Sequence, residues 1–340
     1  MEERIQYNGI DVIKFIMAVF VVVLHTHPLE GISEPLNFLL SDVIGRAAVP
    51  FFFVATGFLL EQKMAGTRGQ MWEVVCGYVR RILGLYVIWT LIYLPIIVWD
   101  KLIDGQGSLQ HRIFTMLRDF LFAGSYAHLW YLPAAAVSVL LTAVLTKYVK
   151  ERNAIVFLLL LFGMGLLTQS YFGLLKNILP GGGVMWQAMK AVKKIMVTCR
   201  NGIFFGGIFV YMGKWIAGHK IRLGGGVTAA GLIVSTALLA MEERYLRESG
   251  FVREQDMYLM LLPTAFFLAL AAIQLPVKAE TVFLRKMSMN IFYVHMIFKF
   301  IYRKIVQNNN GSNVGLFLTT LTGAVIIAYV MYRVETKSRK

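Results

Sequence analysis

The sequence predicts an all-α integral membrane fold, a bundle of about ten transmembrane helices, and three observations carry that prediction. Hydrophobic residues make up 57% of the 340-residue chain against 16% charged, with a mean hydropathy of +0.63. Apolar runs of about 20 residues, the length that crosses a hydrocarbon core, recur from one end to the other. Most connections between them are short, and neither a linker nor a repeat of 20–50 residues marks off a second domain, so residues 1–340 read as one transmembrane domain.

Taken in order, the spans are expected at 10–27, 43–60, 79–99, 129–147, 154–174, 201–217, 223–241, 257–276, 288–306 and 314–333. The longer connections fall at 28–42, 100–128, 175–200 and 242–256. The first apolar run is followed by His25-Thr-His-Pro28 rather than by a small-residue cleavage site, so it is expected to stay in place as a span.

Net charge is +15. In a soluble protein that excess suggests nucleic acid. Here the positive residues sit in loops and at helix ends, where they set topology and meet anionic headgroups. No basic patch is interleaved with exposed aromatics, so nucleic-acid binding is excluded. Short basic stretches, Arg80-Arg81, Lys147/Lys150/Arg152, Lys214/Lys220/Arg222, Arg285-Lys286 and Lys337/Arg339/Lys340, are expected to place both termini on the cytoplasmic side. The stretch with Lys190, Lys193, Lys194 and Arg200 is the main exception. Cys76 and Cys199 then lie on opposite sides, which disfavours a disulfide or a cysteine metal site.

Ionisable residues inside spans are costly and face a bundle interior or a watery cavity. The first span carries Asp11, Lys14, His25 and His27. Lys14 and His25 are eleven residues apart, which on a helix is about 20° beyond three turns and about 16 Å of rise, so they share a stripe. Asp11 extends that stripe by one turn. His27 points about 200° away from His25, which leaves His25 as the candidate general base, neutral imidazole being a good proton acceptor near neutral pH. Arg46 opens the second span at the level of His25, where it either snorkels or meets developing negative charge.

His128 precedes Trp130 and Tyr131 at the start of the fourth span, where the two aromatics suit an interfacial belt and all three can line the outer mouth of a cavity. In the ninth span His295, Lys299 and Arg303 recur every fourth residue and form one polar face, with Asn290 nearby. Gly181-Gly-Gly183 and Gly224-Gly-Gly226 lack the lysine and hydroxyl residue of a phosphate loop, and Asn310-Gly-Ser312 is a weak sequon. No HExxH, GxSxG or Cys/His spacing for a metal is present, so no metal is expected.

Together these segments resemble the membrane acyltransferase family 3, whose members modify bacterial envelope polymers, antibiotics and exported small molecules. Asp11, Lys14 and His25 are similar to its Asp-x-x-Arg, ten residues, His pattern. Arg46-Ala-Ala-Val-Pro50-Phe-Phe-Phe-Val-Ala-Thr-Gly57 resembles its Arg-x-x-Val-Pro-Phe-Phe-Phe-x-x-Ser-Gly segment, with Thr56 for serine. His128-Leu-Trp-Tyr-Leu-Pro133, Arg200-Asn-Gly-Ile-Phe-Phe-Gly206 and Ser288-Met-Asn-Ile-Phe-Tyr-Val-His295 resemble later motifs. Asn8-Gly-Ile-Asp11 and Arg200-Asn-Gly-Ile-Phe204 are similar to the membrane domain fused to vancomycin-resistance serine racemases, a relative associated with serine supply across the membrane. Neither a racemase domain nor an extracellular hydrolase-like domain is expected within these residues. Lys14 departs from the family's arginine, exchanging a bidentate fork for a point charge.

The resemblance implies an acyltransferase of the bacterial cell membrane that moves an acyl group, acetyl foremost, from cytoplasmic acyl-coenzyme A to a hydroxyl or amine acceptor at the outer side. His25 and Arg46 would be catalytic. Lys14, Asp11, Arg80 and Arg81 would bind the coenzyme, and His128, Trp130, Tyr131, His295 and Lys299 would line the cavity. The alternative is a transporter-like module for a small polar solute such as serine.

Overall fold

A computed structural model describes residues 7–66, 70–178, 183, 187, 197–306 and 312–337. Among them the chain forms twelve helices and no strand: α1 (Asn8–Thr26), α2 (Glu34–Ala65), α3 (Met71–Ile103), α4 (Leu109–Phe122), α5 (Tyr131–Tyr148), α6 (Glu151–Thr168), α7 (Phe172–Ile178), α8 (Gly202–Gly218), α9 (Gly225–Glu248), α10 (Leu261–Gln274), α11 (Val282–Ile305) and α12 (Asn313–Lys337). Seven of them (α1, α2, α3, α5, α6, α9 and α12) are long and apolar enough to cross a membrane. Among the described residues the fold is all-helical, that of a multi-pass membrane protein. The helices α8 and α10 are apolar but shorter, 17 and 14 residues. The charges of Arg285, Lys286, Lys299, Arg303 and Lys304 set α11 apart from the seven.

The boundaries differ from the sequence reading by several residues in many places. The helix α3 starts at Met71 instead of residue 79, α6 ends at Thr168 instead of residue 174 with α7 following, and α11 starts at Val282 instead of residue 288. Three further differences have local causes. The second helix starts at Glu34, not at residue 43, because Pro35 pre-sets the first turn and the chain runs through a π-helical segment, Phe38–Ile44, without a break. Asp42 is thereby helical. The connection expected over 100–128 contains α4, whose N-terminus is capped by the Ser108 side chain accepting from the His111 amide at 3.3 Å. The connection expected at 242–256 shrinks because α9 continues to Glu248. Its Glu242 carboxylate accepts from the Leu259 and Met260 amides at 2.6 and 2.8 Å, supplying the donors left open as the chain enters α10. Gly181, Gly182, Lys190, Lys193, Lys194, Asn310, Gly311, Arg339 and Lys340 lie outside the described residues.

The chain divides into two compact units. Unit 1 holds residues 1–52, 221–240 and 263–340. In it α1 packs on α11 and α12 and on the π segment. Val22, Ile291, Ala324 and Ala328 are fully buried, and Asn290 donates to the Ala328 carbonyl at 3.2 Å. Packing through small residues and a few interhelical hydrogen bonds is what binds helices where lipid removes the hydrophobic drive. Its first helix ends where His27 adopts the left-handed conformation (φ 46°), its amide bonding the Val23 carbonyl at 2.9 Å, with Pro28 next.

Unit 2 holds residues 53–220 and 241–262. Its core is aromatic: Phe205 meets Phe209 with ring centroids 5.2 Å apart, and Phe53 meets Tyr131 at 4.8 Å. A Cβ on Gly57 would strike the Val210 carbonyl, and one on Gly213 the Val54 carbonyl, so two glycines let α2 and α8 cross with their backbones touching. The helix α8 starts under a side-chain cap: Asn201 Oδ1 accepts from the Ile203 and Phe204 amides at 2.9 and 3.0 Å.

Candidate functional site

In unit 1 the last turn of α1 and the middle of α11 bring two expected residues into direct contact. The His25 and His295 rings stack with centroids 5.4 Å apart and planes inclined by 29°. His295 is fully buried. Its Nδ1 lies 3.2 and 2.8 Å from the carbonyl oxygens of Ile291 and Phe292. Carbonyls only accept, so Nδ1 carries a proton, and in the neutral form of the ring the lone pair is on Nε2. Lys299 follows one turn later, partly buried, and it acts electrostatically on His27, as do Asp42, Glu30 and Arg46. One end of unit 1 thus gathers imidazoles, two cations and two carboxylates.

His27 is occupied differently from His25. Asn37 Nδ2 approaches His27 Nδ1 at 3.4 Å, while Asn37 Oδ1 accepts from the Leu29 amide and from Ser41 Oγ, both at 3.3 Å. That pair of incoming donors fixes the amide orientation, so His27 Nδ1 is the acceptor and the ring serves the loop. Arg46 is held by Asp42 at 2.9 Å across one helical turn, with side chains only 11% and 6% exposed. A charged pair this dry survives because each member neutralises the other. It points the guanidinium from the spot where the π segment relaxes into α-helix. Asn37, Ser41 and Asp42 escape the sequence reading because they fall in the expected connection. The one legible signal is the four-residue spacing of Asp42 and Arg46.

At the other end of α1, Asp11 is buried and accepts from Thr281 Oγ1 at 2.9 Å, with Arg285 Nε 4.0 Å away. Asn8 joins the same knot through Thr281 and the Val277 carbonyl at 3.1 and 3.2 Å. This ties the start of α1 to the entry of α11 and places Lys14, partly buried, one turn farther along.

The other expected residues belong to unit 2. His128 is 2% exposed between aromatic rings, 5.0 Å from Tyr93 and 6.2 Å from Tyr126. Trp130 lies beneath the Arg200 guanidinium at 4.8 Å, and Arg200 pairs with Asp256 at 2.9 Å. The Tyr131 hydroxyl is 3.5 Å from that of Thr56. Arg80 and Arg81 are exposed on α3, Arg81 lying 5.9 Å from the Tyr78 ring. Among the described residues no group of three His, Cys, Asp or Glu side chains is placed to hold a metal ion.

Comparison with known proteins adds an independent line. A family model described as an acyltransferase domain matches residues 7–333. Two proteins of Enterococcus faecalis named amino-acid racemase are 25% and 26% identical over 353 and 343 aligned residues, covering 100% and 98% of this chain and 47% of theirs. A serine/alanine racemase of Enterococcus gallinarum is 28% identical over 262 residues, 77% of this chain and 36% of its own. The chain therefore spans about half the length or less of these curated relatives. No solved structure is a significant match.

Proposed function

The chain belongs to the acyltransferase-domain family, and we propose that it transfers an acyl group, acetyl foremost, from cytoplasmic acyl-coenzyme A to a hydroxyl or amine acceptor at the outer side of a bacterial cytoplasmic membrane. In this reading α1, α2, α3, α5, α6, α8, α9, α10, α11 and α12 all span the bilayer, about ten spans, with both termini inside. The observation that carries it is the His25–His295 stack, with Lys299 one turn beyond, on the stripe where an acid–base residue is needed.

His25 takes the proton of the acceptor as its oxygen or nitrogen attacks the acyl carbon. The carbon–sulfur bond then breaks, and the coenzyme leaves as its thiol after taking up a proton. Arg46, steadied by Asp42, meets the negative charge that develops on the acyl oxygen or orients the acceptor. Lys14 holds phosphate oxygens of the donor as a point charge, and Asp11 fixes the turn that presents it. Arg80 and Arg81 keep the role of donor-phosphate contacts, and His128, Trp130, Tyr131, His295 and Lys299 that of lining. The apolar surround keeps bulk water from the thioester.

The racemase names of the relatives favour a second reading, a membrane module that handles a small polar solute such as serine. Vesicles holding the full-length chain, given labelled acetyl-coenzyme A with candidate acceptors on one side and labelled serine on the other, separate the two. Acyl transfer that disappears in His25→Ala supports the first. Serine uptake without transfer replaces it with the second.

A further inference from the structure

The helix α4 leaves a broad apolar face uncovered. Leu109, Ile113, Phe114, Leu117 and Leu121 are 60%, 40%, 62%, 56% and 65% exposed, and at 100° per residue they occupy an arc of about 140°. The helix is fastened to the protein through its polar side chains and its backbone. Asp119 pairs with Lys101 at 2.7 Å, Arg112 donates to the Leu102 and Gly107 carbonyls at 2.7 and 2.8 Å, and the Tyr86 hydroxyl donates to the Phe120 carbonyl at 2.7 Å. Polar contacts therefore orient α4 so that its apolar arc faces away from the unit. Five large apolar side chains on fourteen helical residues mark an interaction surface.

Its position identifies the occupant. The helix α3 runs for 33 residues, about 50 Å at 1.5 Å per residue, against a hydrocarbon core of about 30 Å. Its last turns thus reach headgroup level, where the half-exposed Trp99 sits with its indole N–H on Asp104 at 3.1 Å, a wet polar tip on an apolar body. The exposed apolar side chains of α3 include Leu91, Ile92 and Ile103, and only the short polar turn 104–108 separates them in sequence from α4. An amphipathic helix attached at that level, with a narrow charged edge and an open apolar arc, has the form of a helix lying in the plane of the interface.

We infer that α4 is an in-plane membrane helix whose Ile113–Leu117–Leu121 face is seated among the acyl chains of one leaflet. The segment after it reaches Ser125, whose amide donates to the Tyr86 hydroxyl oxygen at 2.8 Å and whose hydroxyl bonds that of Thr90 at 2.7 Å, so the leaflet also braces the approach to His128. The inference is independent of the reaction proposed above.

The test is collisional accessibility of single nitroxide labels on the full-length chain, with Cys76 and Cys199 replaced by serine, in phosphatidylcholine vesicles. Labels at Ile113, Leu117 and Leu121 are expected to favour oxygen over a water-soluble nickel chelate and to report depths of about 5–10 Å below the phosphates. A label at His111, on the opposite side, is expected to favour the chelate. Chelate access at all four positions would put the face in water and overturn the inference. Shielding of the three from both relaxants would mean that protein, such as a second copy, covers it, with the same result. A Leu117→Trp variant in vesicles of brominated lipid, read against the parent chain whose six tryptophans set the background, gives a second reading: quenching of the added emission supports the seat, and added emission that stays unquenched overturns it.

Discussion

The imidazole of His25 stacks on that of His295, whose own Nδ1–H is locked onto two carbonyls of its helix. A ring on the last turn of one helix thereby rests on a ring whose Nδ1–H is directed at the backbone of its own helix. The contact limits the directions from which His25 can reach a proton, and orientation of this kind is what lets a base act.

If His25 is the base, replacing it with alanine or glutamine should lower turnover by about 10²–10⁴ while coenzyme binding persists. Glutamine keeps size and hydrogen bonding but cannot take a proton, so it should do no better. His27→Ala should cost only the loop contact to Asn37, about 1 kcal/mol of stability. Steady-state rates on the three purified variants check this, and equal near-normal rates would take His25 out of the mechanism.

His295 should act as a positioning residue. Its replacement by phenylalanine keeps a ring beneath His25 and should retain more turnover than leucine, with the difference in kcat rather than in the KM for coenzyme. Indistinguishable kcat values for the two variants would count against the stack as an orienting contact.

Asp42→Asn removes the counter-charge of a nearly buried Arg46. Hydrogen bonds to charged groups contribute about 1.5–3 kcal/mol, so acyl transfer should fall by about tenfold or more. Asp42→Glu should recover part of the loss if the pair serves to aim the guanidinium.

Lys14→Arg should preserve donor affinity or tighten it, because the charge stays and a second phosphate contact becomes geometrically possible. Lys14→Ala should weaken donor binding. Thr281→Val, which breaks the bond to Asp11, should raise the KM for donor with little change in kcat. Isothermal titration with acetyl-coenzyme A measures the first two, and unchanged affinity in Lys14→Ala would leave that lysine a structural role.

Topology has its own check. Glu34, Arg152 and Ser249 are all exposed, so cysteines placed there are accessible to reagents. Labelling by an impermeant maleimide in intact cells is expected at Glu34 and Ser249 and not at Arg152. The reverse pattern would move the entry side of the coenzyme.

Much of the fold is legible in hydropathy because a bilayer imposes it: a helix must satisfy its own backbone and stay apolar for its whole length. That is why the expected spans lie on helices even where their ends shift. The ends shift for local reasons that hydropathy does not register. Pro35 and a π segment carry α2 back through Asp42, and Glu242 caps the chain ahead of α10 from within what reads as a polar loop. The amphipathic α4 is missed because its apolar residues are spread around a wheel instead of gathered in a run.

The sequence by itself determined that this chain is a helical membrane protein and that Lys14 and His25 share one stripe, since composition and the 100° helical step are local properties. It also singled out Arg46, His128 and the His295–Lys299 face as charges or imidazoles that lipid would not tolerate unpartnered. Only the tertiary structure decided which of them meet. His25 finds His295 from a distant part of the chain, Asp11 finds Thr281, and His27 is drawn to Asn37 instead of sharing the role of its neighbour. Periodicity fixes the direction of a side chain around its own helix, whereas the partner it meets depends on how helices remote in sequence pack, and small residues such as Ala324 and Ala328 set that packing.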